Sequence, residues 1–256
     1  MPQGLRLRTF KADQRISEGN FKVRLTVALL ALVTFCLGSV STISQTPSGT
    51  ADSPVEISGE PRHHPKFENE FVRVLDVTVP VGDATLWHVH RNDNVVVTLG
   101  GASLRLEKVG APTVEVQWKI GDVNFGKATY VHRAINIGTT SFHNLTIELL
   151  KSPAGSSLAS GLKEPIARPP ILENERVRVY RVSLEPGQSM TMHTHLLPGL
   201  GIAVTAGELE VTTAGRATPD RLTLPIGDVR WRAGAVTHQI KNLGQTRIEL
   251  VDIELK

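Results

Sequence analysis

Two histidine pairs, His88-Val89-His90 and His193-Thr194-His195, are each followed further along by a lone histidine, His132 and His238, and then by an asparagine, Asn136 and Asn242. Imidazole nitrogens are ligands for transition metals, and three of them at about 2.1 Å from one ion make a metal site. On a strand, residues i and i+2 share a face, so each pair projects side by side while Val89 and Thr194 point away. A later antiparallel strand that brings His132, or His238, opposite the pair completes the set. The chemistry on offer is Lewis-acid or dioxygen chemistry at a bound ion.

The elements that must position these rings are themselves repeated. Glu68-Asn69-Glu70-Phe71-Val72-Arg73-Val74 returns as Glu173-Asn174-Glu175-Arg176-Val177-Arg178-Val179, and Ile120-Gly121-Asp122-Val123 returns as Ile226-Gly227-Asp228-Val229. A unit the size of one small domain is therefore present twice in tandem. Within each copy, short runs enriched in β-branched residues alternate with Gly and Pro turns: 72–79, 95–99, 104–106, 114–118, 132–137 and 145–150, then 177–184, 201–206, 209–212, 222–224, 238–243 and 248–255. Outside the leader no stretch sustains a helical apolar stripe. This predicts an all-β protein of two tandem small antiparallel β-barrels, spanning residues 63–151 and 168–256 and joined by a linker over 152–167.

Ahead of the barrels, residues 1–41 read as an export signal: a basic stretch ending in Lys22-Val23-Arg24, an apolar run over 25–37, then small and polar residues. Two outcomes stand open, a signal peptide removed near Ser41 or an uncleaved N-terminal anchor. Both put the folded part outside the cytoplasm, periplasmic or extracellular, with contact to a membrane only through the uncleaved segment. Cys36, the only cysteine, lies in this run behind Phe35, where lipid attachment asks for a small residue. Residues 42–62, rich in Ser, Thr, Pro and Gly, form a tether. The leader also holds the basic excess: it carries six basic and two acidic side chains, leaving 22 Lys and Arg against 23 Asp and Glu. That balance gives no electrostatic case for a nucleic-acid partner.

The histidine spacing resembles the cupin superfamily. Its first motif is Gly, five residues, His-X-His, three or four residues, Glu, six residues, Gly; its second is Gly, five residues, Pro-X-Gly, two residues, His, three residues, Asn. The first copy matches at Gly82, His88, His90 and Gly101, with Asn94 in the Glu place, and at Gly121, His132 and Asn136, with Lys127 for Pro and Thr129 for Gly. The second matches at Gly187, His193, His195 and Gly207, with Gly199 or Leu200 in the Glu place, and at Gly227, His238 and Asn242, with Ala233 for Pro and Ala235 for Gly.

The resemblance implies a bicupin with the jelly-roll cupin fold, and a divalent transition metal held by His88, His90 and His132, by His193, His195 and His238, or by both sets. Neither copy has the usual glutamate. A purely imidazole set leans toward Fe, Zn, Ni or Cu and away from Mn. In the first copy Asn94 is expected to offer a carbonyl oxygen in its place, or Asp93 to approach by a loop shift.

The reading from these residues is a metal-dependent oxygenase or isomerase acting on a small polar substrate. The competing reading is a non-catalytic module that binds a sugar or organic acid without metal. Neither reading identifies catalytic residues beyond the ligands. Asn136 and Asn242 are expected to shape turns. His63, His64 and His143 are expected to be solvated, and Trp87 to lie in core or interface. Asn144-Leu145-Thr146 fits a glycosylation acceptor. Gly121 to Lys127 resembles the start of a phosphate-binding loop but lacks the hydroxyl residue and the helix that such a loop needs.

Overall fold

A computed structural model describes residues 49–153 and 169–256. The leader and most of the linker, with the export, anchor and lipid-attachment readings that depend on them, lie outside the described residues.

The first barrel runs through β1 (Val55–Glu56), a short 3-10 turn at Ile57–Gly59, β2 (His63–Glu68), β3 (Val72–Val79), β4 (His88–His90) and β5 (Asn94–Gly100). It continues through β6 (Ala102–Lys108), β7 (Val114–Trp118), β8 (Val123–Gly126), β9 (Tyr130–Asn136) and β10 (Phe142–Leu149). The second barrel comprises β11 (Leu172–Glu173), β12 (Val177–Leu184), β13 (His193–His195), β14 (Gly199–Ala203) and β15 (Gly207–Thr213). Its last strands are β16 (Asp220–Leu224), β17 (Val229–Arg232), β18 (Val236–Asn242) and β19 (Ile248–Leu255).

Each barrel is a pair of sheets. In the first, the orders are β1-β4-β9-β6-β7 and β2-β3-β10-β5-β8; in the second, β13-β18-β15-β16 and β11-β12-β19-β14-β17. Pairing is antiparallel apart from the short β1–β4 contact. The stretch that resembles a phosphate-binding loop contains strand β8 and no helix.

Two facing sheets put the alternation of these strands to an unusual use. On β3, Leu75, Val77 and Val79 face the interior of the first barrel, while Val72 and Val74 point outward. Outward in this half of the sheet does not mean solvent. Val72, Val74, Val95, Val97, Leu145 and Ile147 are fully buried against Val177, Val179, Leu200, Ile202, Val251 and Ile253 of the second barrel, in one shared core. Burial on both faces explains why 72–79 and 177–184 show only partial alternation.

Trp231 adds to the seam, stacked on Phe71 at 5.8 Å and on Phe67 at 6.3 Å. At its edge Arg176 donates to Asp93 at 2.8 Å and to the Leu149 carbonyl at 3.1 Å.

The inner faces of the same strands carry polar groups: Asn94, Thr98, Asn144, Thr146 and Glu148 in the first barrel, and Asp252 and Glu254 in the second, all buried except the half-buried Asp252. Asn144 is 3% exposed, so the Asn-Leu-Thr triplet is closed to glycosylation in the folded chain.

The motif residues outside the histidine sets serve the backbone. Gly82, Gly121, Gly187 and Gly227 have φ of 75°, 82°, 73° and 76°, where a side chain is disfavoured. Asn136 and Asn242 are fully buried and tie turns, as their positions suggest. Asn136 donates to the carbonyls of Val79 and Thr140 and accepts from the Gly138 amide. Asn242 repeats the pattern with Leu184, Thr246 and Gly244.

Candidate metal centres

Antiparallel pairing brings the predicted residues together. His88 on β4 is the register partner of His132 on β9, and His193 on β13 is the partner of His238 on β18. In the first barrel Nε2 of His90 lies 3.1 Å from Nε2 of His88 and 3.0 Å from Nε2 of His132. In the second, Nε2 of His193 lies 3.1 Å from that of His195 and 3.0 Å from that of His238. The ligand atoms of each trio fall within 4.8 Å of one another.

What lies behind the rings decides which nitrogen faces inward. Nδ1 of His88 donates to the Leu86 carbonyl and Nδ1 of His193 to the Thr191 carbonyl, both at 2.8 Å. With the ring proton spent there, the inward Nε2 carries a lone pair. Burial disfavours the charged form of these rings. It pushes His88 down to about 4, with His63 adding to the fall and the Leu86 carbonyl and Glu60 opposing it. Burial also lowers His90 and His132, and their neighbouring histidines push further. In the second barrel burial lowers His193, and it takes His238 to about 4 with help from His193, His195 and Arg232. At neutral pH these rings are uncharged, the form that ligates metals.

The barrels differ in the place of the missing glutamate. Strand pairing aligns Asn94 with Glu148 and Gly126, and Gly199 with Glu254 and Arg232. Gly199, not Leu200, is thus the counterpart of Asn94.

The two sites have exchanged their large and small partners. In the first, Asn94 fills the space over Gly126, where an added Cβ would come 2.8 Å from the Asn94 amide. In the second, Arg232 fills the space over Gly199, and a Cβ there would come 2.1 Å from the Ile253 carbonyl. Restoring a glutamate at 199 alone therefore requires the backbone to move.

Asn94 does not act as expected. Its amide nitrogen lies 3.3 Å from Nδ1 of His90, the outer side of the ring, and 3.1 Å from the Tyr130 hydroxyl. It braces His90 from behind, and Tyr130 stacks on the same ring at 4.6 Å. Asp93 is held away by Arg176 and the Ala128 amide.

Behind His195 the second barrel places carboxylates instead. Glu254, fully buried, accepts from Nδ1 of His195 at 3.2 Å, and Asp252 lies 3.7 Å from the same atom. Arg232 grips Asp252 through two bonds of 2.9 and 3.0 Å. Burial would raise Asp252, but the Arg232 guanidinium outweighs it and holds the acid below the usual carboxylate range.

Each trio opens into a cavity of about 500 Å³. One residue of the first was missed in the sequence. His63, expected in solvent, is 6% exposed, lines this cavity, and sits with its ring 4.8 Å from that of His88. It has no match in the second copy, where Arg168 stands in its place, so a search for repeated residues passes over it. His64 is exposed as expected, and His143 is half-buried and bonded to Asp76 at 2.8 Å. Trp87 is half-buried beneath the Arg133 guanidinium.

No protein-family model and no curated protein matches the sequence. Solved structures do. AerE from Microcystis aeruginosa is similar at a TM-score of 0.53 with 13% identity, over 77% of this chain and 98% of that one. Oxalate decarboxylase from Bacillus subtilis, in a form with one substituted residue, also gives 0.53 and 13%, over 75% of this chain and 74% of its own. A cupin domain from Bordetella pertussis Tohama I is 32% identical over 33% of this chain and 88% of that one, at 0.32. Two tandem antiparallel barrels, each with a histidine trio turned into its own cavity, and likeness to oxalate decarboxylase over 75% of the chain show that the chain has a bicupin fold.

Proposed function

We propose that the protein is an exported, metal-dependent bicupin that works as an oxygenase or isomerase on a small polar substrate. On this reading His88, His90 and His132 hold one divalent transition metal, and His193, His195 and His238 hold another. The observation that carries it is the meeting of Nε2 atoms at 3.0–3.1 Å inside each barrel. Lone pairs brought this close repel one another unless a cation or a proton lies between them. His88 and His193 have already given their ring protons to backbone carbonyls.

An all-imidazole set favours iron, nickel, copper and zinc. Manganese stays within the reading, because oxalate decarboxylase, of like fold, has Mn(II) centres. When bound, such an ion supplies a Lewis acid or dioxygen-binding centre with positions open to substrate. The chain's own part is to fix the three rings and to shield them within walls of Val, Leu and aromatic side chains. Export rests on the sequence of residues 1–41.

Elemental analysis of natively purified protein tests this directly. Stoichiometric iron, nickel, manganese, copper or zinc is expected. Metal-free protein whose stability is unmoved by adding these ions overturns the reading and leaves a metal-independent binding module. The second barrel carries a sharper expectation. Glu254 fixes the tautomer of His195, and partners of this kind are worth about 10–100-fold in metal affinity. Glu254→Gln should weaken metal binding in that barrel by this factor in a calorimetric titration and leave the first barrel's affinity unchanged; equal affinities before and after would rule out the role.

A further inference from the structure

His63 is held in place by a second buried group. Its Nδ1 lies 2.5 Å from Oε2 of Glu60, and since a carboxylate only accepts, Nδ1 carries the proton. Glu60 is 2% exposed and also accepts from the backbone amides of Leu86 and Arg62. Burial would raise its pKa, but the bonds from His63, Leu86 and Arg62 together hold it below the ordinary carboxylate range. With the Nδ1 proton committed to Glu60, the ring's lone pair sits on Nε2. That atom makes no hydrogen bond among the described residues, and the ring borders the cavity beside the trio. A fixed acceptor in a shielded cavity is satisfied by an O–H or N–H of whatever binds there.

Charge narrows the occupant further. The wall of the first cavity contains no Asp or Glu, and Asn94 stands where the motif has a carboxylate. It does contain Lys108, whose ammonium lies 4.7 Å over the Tyr130 ring and makes no ion pair among the described residues. The second cavity is balanced: Asp228 pairs with Arg230 and Asp252 with Arg232. Of the two, the first cavity attracts an anion.

We propose that the first barrel binds a small hydroxycarboxylate, its carboxylate drawn to Lys108 and its hydroxyl donating to Nε2 of His63. The proposal rests on the metal reading above only for the added pull of the ion; Lys108 and His63 act with or without it. A cavity of about 500 Å³ is ample for a ligand of this class.

Calorimetry on the full-length, nickel-loaded protein tests the proposal with racemic lactate, propionate, which lacks the hydroxyl, and lactamide, which lacks the charge. Lactate should bind about tenfold more tightly than either. Lys108→Gln should remove its advantage over lactamide, and His63→Gln its advantage over propionate. In the unaltered protein 2-methoxypropionate, which keeps the oxygen but has no proton to donate, should bind no better than propionate. That measurement stands if a variant fails to fold. The proposal is overturned if lactate shows no preference in the unaltered protein, if 2-methoxypropionate matches lactate, or if both preferences survive both substitutions. If the protein takes up no metal, the function proposed above fails by itself. The same ranking measured on the metal-free chain then still decides this proposal.

Discussion

Changing His88 to alanine should cut the metal content from two ions per chain to one, and changing His193 to alanine should do the same at the other barrel. Each substitution removes one nitrogen of three and leaves the opposite trio untouched, since the sites are built on separate sheets. A residue that merely orients a ligand is worth up to about 100-fold in affinity, so loss of a ligand itself should exceed that. Elemental analysis after gel filtration reads the stoichiometry, and circular dichroism checks that the sheets persist. A variant that retains both ions would show that the altered ring is not a ligand. If both ions are lost together from a folded variant, the barrels do not bind independently.

Stability of the metal-free protein should fall as pH drops from about 6.5 to about 4. His88 titrates near 6.5 when unfolded, but burial, and then the neighbouring His63, lower it to about 4 in the fold. A proton therefore binds the unfolded chain first. The stabilisation is complete above about 6.5, declines through the interval, and is gone below about 4. For His88 the loss is about 3 kcal/mol. His238, lowered to about 4 by burial and by His193, His195 and Arg232, declines over the same window, and the lowered His90, His132 and His193 act in the same direction. Urea unfolding of chelator-treated protein at pH 7 and pH 4.5 measures the difference. Equal midpoints, or a higher one at pH 4.5, would mean that these rings are solvated and charged in the fold.

The sequence revealed what depends on short-range periodicity and on the repeat. His-X-His needs only strand alternation to put two rings on one face, and the match between copies marked His132 and His238 as the third members. Gly82, Gly121, Gly187 and Gly227 were legible as positions of the resembled motif, and Asn136 and Asn242 as the residues just ahead of Ile137-Gly138 and Leu243-Gly244. Register was not legible. That Gly199 faces Arg232 while Asn94 faces Gly126 depends on which strands lie side by side, and neither pair is near in the chain.

Asp252 and Glu254 lie in a run that reads as a strand, but their inward direction depends on the outer face being covered by the other barrel. His63 was hidden for a different reason. It belongs to one copy only, and its burial depends on Glu60, whose charge in a Ser, Thr and Gly-rich tether gave no sign of a core role.

The shared seam of Val, Leu and Ile has a consequence for how such a molecule changes over time. Because the contact joins two non-identical halves of one polypeptide, a substitution on one side is not copied onto the other, as it is in a symmetric pair of identical subunits. Each hollow is then free to drift while the join between them is kept. An arginine lines one and a lysine with a buried acid–imidazole couple the other, giving one polypeptide two chemically distinct chambers with a common wall.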